Sequence, residues 1–292
     1  MRGLAALELE YEINPKRLDS ADVVGVLSDL DALSEAIQWR RAGERRRLLA
    51  GPNLVVLPSD ARPLMTAPEI DVCIVPSQWV ARLYEEDAPE LRGRIAVWPA
   101  GVDAEYWKPD PLRVTHDRRA LVYLKQLPGQ RNAEDLLIRS AEGALERAGF
   151  AVTTVSYGSF APDEYLELLR AVDLLVLFSP TESQGLALAE AWSVDVPTLV
   201  WAQAQLTYKG RLYQTSSAPF LSSRTGVVFN DSDALERLLE DWTELRTAFG
   251  PRAWVLEHMT DAKCARAYWD LATGPRRQLP GAAVSVSLPR DP

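Results

Sequence analysis

The sequence is poor in the residues that most often carry metal and acid–base chemistry. Of 292 residues, two are histidine and two are cysteine. His116 and His258 stand far apart, and nothing in the sequence pairs them. Cys73 lies in an apolar strand pattern and Cys264 in a helical one. That spacing supplies neither a metal-ligand set nor a disulfide framework, and the expectation is two buried, inert thiols in a reducing compartment. Positive charge is also scarce, with 32 Lys and Arg against 41 Asp and Glu and a net charge of −9. A chain this acidic has no general electrostatic footprint for nucleic acid, so any anion site must be local. No apolar run approaches the ~20 residues needed to cross a bilayer. Met1 to Leu7 is too short for a signal peptide, so a cytoplasmic protein is expected. Peripheral membrane contact is the most that Arg40, Arg41, Arg45, Arg46 and Arg47 suggest. They cluster near a predicted helix C-terminus, where cations are favoured in any case.

The length favours two domains, and a hydrophobic fraction of 47% supports a core in each. Strand and helix patterns alternate throughout, which predicts an α/β chain with parallel sheets and helices on their faces. In the first half, alternation over 7–13 reads as an edge strand. Strands are predicted over 22–27, 53–57, 70–75 and 94–98, with helices over 32–47 and 77–86. Residues 104–119 are rich in Pro, Asp and Arg and lack periodicity, which marks a linker. The pattern then restarts, with strands over 121–124, 151–157, 174–178, 198–201 and 225–229. Helices are predicted over 133–148, 163–171, 233–249 and 252–271. The stretch 202–223 reads as irregular.

The chain is organised around Ala171 to Ala202. Leu174 to Phe178 is continuously apolar, as in a strand buried on both faces. Pro180 ends it, Thr181 to Gly185 form a polar turn, and a Leu- and Ala-rich helix follows. Such turns, outside the carboxyl ends of parallel strands, are where open α/β sheets bind ligands. The amides near Gln184, Gly185 and Leu186 open the helix without internal acceptors, which suits a phosphate. Glu182 and Glu190 bracket this point. Carboxylates repel phosphate but accept from sugar and ribose hydroxyls. Two further strand ends converge on the same edge. Lys125 and Arg131 flank one strand-to-helix loop and could clamp a diphosphate. Tyr157, with Gly158 in the next turn, could flank a base. Together these describe a site for a nucleoside diphosphate carrying a sugar.

Glu182-Ser-Gln-Gly-Leu-Ala-Leu-Ala-Glu190 resembles the E-x7-E motif of retaining glycosyltransferases of the GT-B fold, the group 1 or family 4-like type. Pro76-Ser77, Trp98-Pro-Ala-Gly-Val-Asp103, the Lys125 and Arg131 pair, and Thr225-Gly226-Val227 are similar to that family's pattern in the same order. The resemblance is good over roughly 70–272 and weak before it. It implies two Rossmann-like domains facing across a cleft, the first reduced. They would be a 1–110 acceptor-side domain and a 111–251 donor-binding domain. A 252–272 helix would cross back to the first domain, and 273–292 would be a mobile tail. It implies a transferase moving a sugar from a nucleotide-diphosphate sugar to an acceptor hydroxyl with retention, in polysaccharide or glycoconjugate assembly. The acceptor would be carbohydrate, lipid-linked or another glycosyl acceptor. No cofactor and no metal would be needed. Glu182 would hold the transferred sugar, Glu190 the ribose, and Lys125 with Arg131 the leaving diphosphate. Ser183, Gln184, Gly185 and Leu186 would contact phosphate or sugar. The first half departs from the family. Ser28-Asp29-Leu30-Asp31 stands where a glycine-rich turn is usual, and no histidine precedes His116. A catalytically silent homologue that binds a sugar nucleotide or a partner enzyme is the alternative, and an epimerase of the same fold is a second.

Overall fold

A computed structural model describes residues 2–18, 21–112, 118–125, 131–274 and 284–285, with the side chains of 131–134 and 284–285 outside that description. The chain divides into two compact units. The first comprises Met1–Gly101 and Asp261–Pro289, the second Val102–Thr260 and Arg290–Pro292.

The first unit opens with a short helix α1, Arg2–Ala6. Strand β1, Val23–Val26, leads into helix α2, Leu30–Arg41, which Asp29 caps by accepting from the Ala32 amide at 2.9 Å. Strand β2 is Arg47–Ala50. A single helical turn α3, Arg62–Met65, precedes β3, Val72–Val75, and α4, Gln78–Asp87, precedes β4, Ile95–Val97. In the second unit β5 is Arg119–Leu124, α5 Arg131–Arg147, β6 Ala151–Ser156 and α6 Pro162–Ala171. Strand β7, Leu174–Phe178, is followed by α7, Leu186–Ser193, and β8, Thr198–Trp201. Strands β9, Gln205–Tyr208, and β10, Arg211–Gln214, form a hairpin ahead of β11, Gly226–Phe229. Helices α8, Ser232–Glu240, α9, Trp242–Ala248, and α10, Pro251–His258, complete the unit. The chain then returns to the first unit as α11, Asp261–Thr273, and β12, Val284–Ser285.

Each unit is a parallel sheet with helices on its faces, so the fold class read from the alternating pattern is the one observed. The first sheet has the order β1-β2-β3-β4-β12, and every pair is parallel. One face packs Leu33 and Ile37 of α2 and Tyr84 of α4 over Val24, Leu48, Cys73 and Ile95. The other packs Tyr268, Leu271 and Ala272 of α11 over Leu49, Val72, Ile74 and Ala96. The second sheet has the order β11-β8-β7-β5-β6, again all parallel. Its strand direction of travel reverses at β5. The chain steps outward to β6, then crosses back to β7 and continues through β8 to β11. The carboxyl ends of β5 and β7 therefore flank a topological switch point, where open α/β sheets bind ligands.

Several expected elements differ. Residues 7–13 are not a strand, and the first described element is α1. The second strand is Arg47–Ala50 rather than 53–57. The predicted helix ends at Arg41, because Gly43 takes a φ of +110° and turns the chain early. Two of the helices expected as single rods are broken, one at Asp241 and one at Met259–Thr260. The stretch expected to be irregular holds the β9–β10 hairpin. Its turn residues Lys209 and Gly210 both have positive φ, 48° and 75°, as a type I′ turn requires. The linker region is tied down where it is described. Arg252 donates to the carbonyls of Ala104 and Trp107 at 3.1 and 3.2 Å. Of the expected tail, only Gly274 and β12 lie within the described residues beyond Thr273.

The arginine cluster is engaged within its own unit. Arg41 pairs with Glu69 at 2.8 Å, Arg40 with Asp71 at 3.5 Å, and Arg46 with Glu44 at 3.9 Å, while Arg47 donates to the Gly274 carbonyl. Among the described residues no helix is long and apolar enough to cross a membrane.

Candidate functional site

The site is assembled at the switch point of the second unit. Strand β5 carries alternate side chains to opposite faces. Val122 faces the cluster built with α5 and α8, so Tyr123 and Lys125 face the other way. The ladder continues one residue past each strand. The Lys125 amide donates to Phe178 O and the Tyr157 amide to Leu124 O, both at 2.8 Å. Lys125, Tyr157 and the turn after Phe178 therefore leave the sheet side by side.

Glu182 is nearly buried and fully engaged. Lys125 Nζ lies 2.9 Å from its Oε2, and Ser179 Oγ donates to its Oε1 at 2.9 Å. Its amide donates to the carbonyl of Ser216 at 2.8 Å, which ties the turn to the segment following the hairpin. Lys125 Nζ also stands 5.2 Å from the centre of the Tyr157 ring. Tyr157, which the sequence placed beside a base, is exposed and covers the lysine. Sequence reasoning missed Ser179. Its signal was a serine three residues before Glu182, just past the last apolar residue of β7.

Gly185 is the N-cap of α7 with φ +77° and ψ 54°, a conformation that strains any residue with a Cβ. Among the described residues no acceptor is found for the amides of Gly185, Leu186 and Ala187. They open the helix as unpaired donors reinforced by its dipole. Ser183 is exposed, Gln184 half-buried, and the Leu186 side chain points largely to solvent. Gly158, with φ +81°, forms the turn after β6.

Glu190 lies a turn and a half inside α7 and differs from Glu182 in one respect. Among the described residues no hydrogen bond or ion pair reaches its carboxylate. Burial pushes its pKa up to about 7. Three phenols share its surroundings. Burial raises Tyr123 and Tyr165, and Glu190 and Glu182 add to it. The hydrogen bond to Asp163 raises Tyr106, with a smaller contribution from Glu190. Tyr165 donates to the Ala187 carbonyl at 3.1 Å and stacks on Phe160 with ring centres 5.0 Å apart. Of the aromatic residues here, the sequence singled out only Tyr157.

Arg131 is the first residue of α5, on the loop that leaves β5 beside Lys125. Its side chain, and residues 126–130 before it, lie outside the described residues. The structure thus brings together Lys125, Tyr157, Glu182, Gly185 and Glu190 at one edge, with the backbone of Arg131 one loop away.

Two parallel-sheet units of this kind make the GT-B fold. Solved glycosyltransferases share it. The chain is similar to sucrose-phosphate synthase from Thermosynechococcus elongatus, with 16% identity, a TM-score of 0.58, and coverage of 86% of this chain and 73% of that one. It is similar to the apo form of the lipopolysaccharide outer core galactosyltransferase WaaB, with 14% identity, a TM-score of 0.54, and coverage of 87% and 76%. It is also similar to WaaG, a glycosyltransferase involved in lipopolysaccharide biosynthesis, with 13% identity, a TM-score of 0.53, and coverage of 82% and 80%. At such identities the likeness is one of fold. No family model matches the sequence, and no curated protein matches it.

Proposed function

We propose that this protein is a retaining glycosyltransferase that moves a sugar from a nucleotide-diphosphate sugar to an acceptor hydroxyl. The observation that carries the reading is the pairing of Lys125 with Glu182 at 2.9 Å beside the unpaired amides of α7, with the unpartnered Glu190 further along the same helix. A cation and helix-end donors suit a diphosphate. A half-buried carboxylate without a partner suits the paired hydroxyls of a ribose, which supply the donors it lacks. The fold of the sugar-transferring neighbours supports the same class.

In this reading Glu190 accepts from the ribose, and the α7 amides with Lys125 hold the diphosphate. Glu182, positioned by Ser179, accepts from hydroxyls of the transferred sugar. Arg131 is proposed as the second cation on the leaving group. The bond between the anomeric carbon and the phosphate oxygen breaks, and a bond to the acceptor oxygen forms on the same face of the ring. The acceptor proton passes to the departing phosphate. Negative charge grows on the diphosphate as it leaves, so fixed donors there act more strongly on the transition state than on the bound substrate. The positive charge this needs comes from the protein itself, so no metal or cofactor is invoked. The acceptor is a carbohydrate or lipid-linked glycosyl chain.

Thermal shift and titration calorimetry with a panel of nucleoside diphosphates and nucleotide sugars test this. A ligand at 100 times its Kd stabilises the native state by about 2.7 kcal/mol. Lys125→Ala removes one charge-assisted contact and should weaken a nucleoside diphosphate at least ~10-fold. A wild type that responds to none of the panel, or a Lys125→Ala variant that matches it, overturns the donor assignment. For any product formed, the anomeric configuration by NMR decides between retention and inversion.

A further inference from the structure

Of the three phenols that share the surroundings of Glu190, Tyr123 is the one on the strand that leads to Lys125. Its side chain is 3% exposed, and among the described residues no hydrogen bond reaches its hydroxyl. It lies two residues before Lys125 on β5, so both side chains leave the same face of the strand at its carboxyl end. Its ring is held edge-on by Phe160 at 5.8 Å and Tyr165 at 5.6 Å. Tyr165 is itself bonded to the first turn of α7 through Ala187. Tyr123 therefore packs near the carboxyl end of β5 against two rings, one of which is tied to the mouth of α7. Its phenol is pushed up by burial first, and then by Glu182, Glu190 and Tyr157. The hydroxyl thus stands in the field of both carboxylates while bonding to neither.

Phenylalanine would keep the same ring contacts, so packing alone does not call for the hydroxyl, which has no protein partner among the described residues and is not sealed from solvent. A bound ligand can supply the partner that the protein does not. In the transferase reading, on which this inference rests, Glu190 holds the ribose and Glu182 the sugar. The segment of donor between them is the diphosphate. Its oxygens only accept hydrogen bonds, and an un-ionised phenol has one to donate.

We propose that Tyr123 is a further donor-binding residue, whose hydroxyl donates to the diphosphate of the nucleotide sugar between the ends held by Glu190 and Glu182. Tyr123→Phe removes the hydroxyl and keeps the packing. Titration calorimetry with uridine, guanosine and adenosine diphosphates and with the matching nucleosides reads out the contact. The variant should melt within a few degrees of wild type and bind the accepted diphosphate about tenfold more weakly, while its nucleoside affinity is unchanged. Tyr165→Phe is the packing control, because the hydroxyl it removes is bonded to the protein. It should lose stability and keep the preference for diphosphate over nucleoside. Equal diphosphate affinity in wild type and Tyr123→Phe overturns the assignment and leaves the transferase reading intact. So does an equal loss for nucleoside and diphosphate. A wild type that binds no nucleoside diphosphate overturns both.

Discussion

The two units share a plan, a parallel sheet whose strands run into helices, but they treat the polar groups at their carboxyl edges differently. In the first unit those groups are mostly spent on the protein. Asp29, beyond β1, caps α2. The loops after β1 and β2 bond to each other, Gly51 N to Val26 O at 2.9 Å and Ser28 N to Pro52 O at 3.3 Å. An exception is Ser77, at the N-cap position of α4, whose buried hydroxyl has no partner among the described residues. In the second unit the corresponding groups are held ready. Lys125, Glu182 and Ser179 form a connected set, while Glu190, the Tyr123 hydroxyl and the first amides of α7 have no protein partner among the described residues. A satisfied polar group holds a loop in place, and an unsatisfied one at a switch point waits for a ligand.

The contrast can be broken by substitution. The largest effect should come from Glu182→Gln, which removes a charge placed against the transferred sugar. Turnover should fall on the order of 10²–10³-fold or more, the scale of losing one fixed electrostatic contact. Nucleoside diphosphate should bind as well as before or better, because Lys125 no longer has a carboxylate to satisfy. Steady-state kinetics with calorimetry check both halves, and a parallel loss of binding would place Glu182 in folding instead.

Glu190→Gln should give an effect of intermediate size with a defined pH dependence. Burial raises this carboxyl from 4.5 to about 7, so the native state holds its proton more tightly than the unfolded chain does. Wild-type stability therefore falls as pH rises between those values, and the loss is complete above about pH 7. Glutamine abolishes the loss. The variant should gain at most about 3 kcal/mol over wild type at pH 8, from 1.36 kcal/mol per unit, and nothing below pH 4.5. Denaturant unfolding across that range shows the slope, and the opposite slope would refute the burial argument. Asp29→Ala, in the first unit, should have the smallest effect. It removes a helix cap and should cost about 1 kcal/mol of stability without altering nucleotide binding. A clear loss of binding in that variant would mean that the first unit's edge also serves the donor.

The central strand, turn and helix were legible because three independent signals agree there. Leu174 to Phe178 is apolar without interruption, Pro180 stops the ladder, and Gly185 allows the turn. The hairpin was obscured because β9 and β10 are only four residues each, and their turn carries Lys-Gly in place of the commoner Asn-Gly. The β2 strand was lost because Arg45, Arg46 and Arg47 extend a helical pattern past Gly43, and Leu48 to Ala50 is too short a run to compete. Tyr123 was hidden for another reason. In the run Leu-Val-Tyr-Leu it reads as a core residue, which its ring is, and no sequence pattern shows that its hydroxyl will find no partner in the protein.

The discontinuity of the first unit has a consequence for biosynthesis. Trp98 Nε1 donates to the Cys264 carbonyl at 2.7 Å, and a methyl group on Gly3 would strike the Asp261 carbonyl. Strands β1 to β4 leave the ribosome well before α11 exists to cover Leu49, Val72, Ile74 and Ala96. Until translation reaches that helix, one greasy side of the sheet is bare while the intervening unit has all its own elements. A nascent chain arrested before residue 261 should therefore display a finished half and a sticky half, and dependence on chaperones should end with the synthesis of α11.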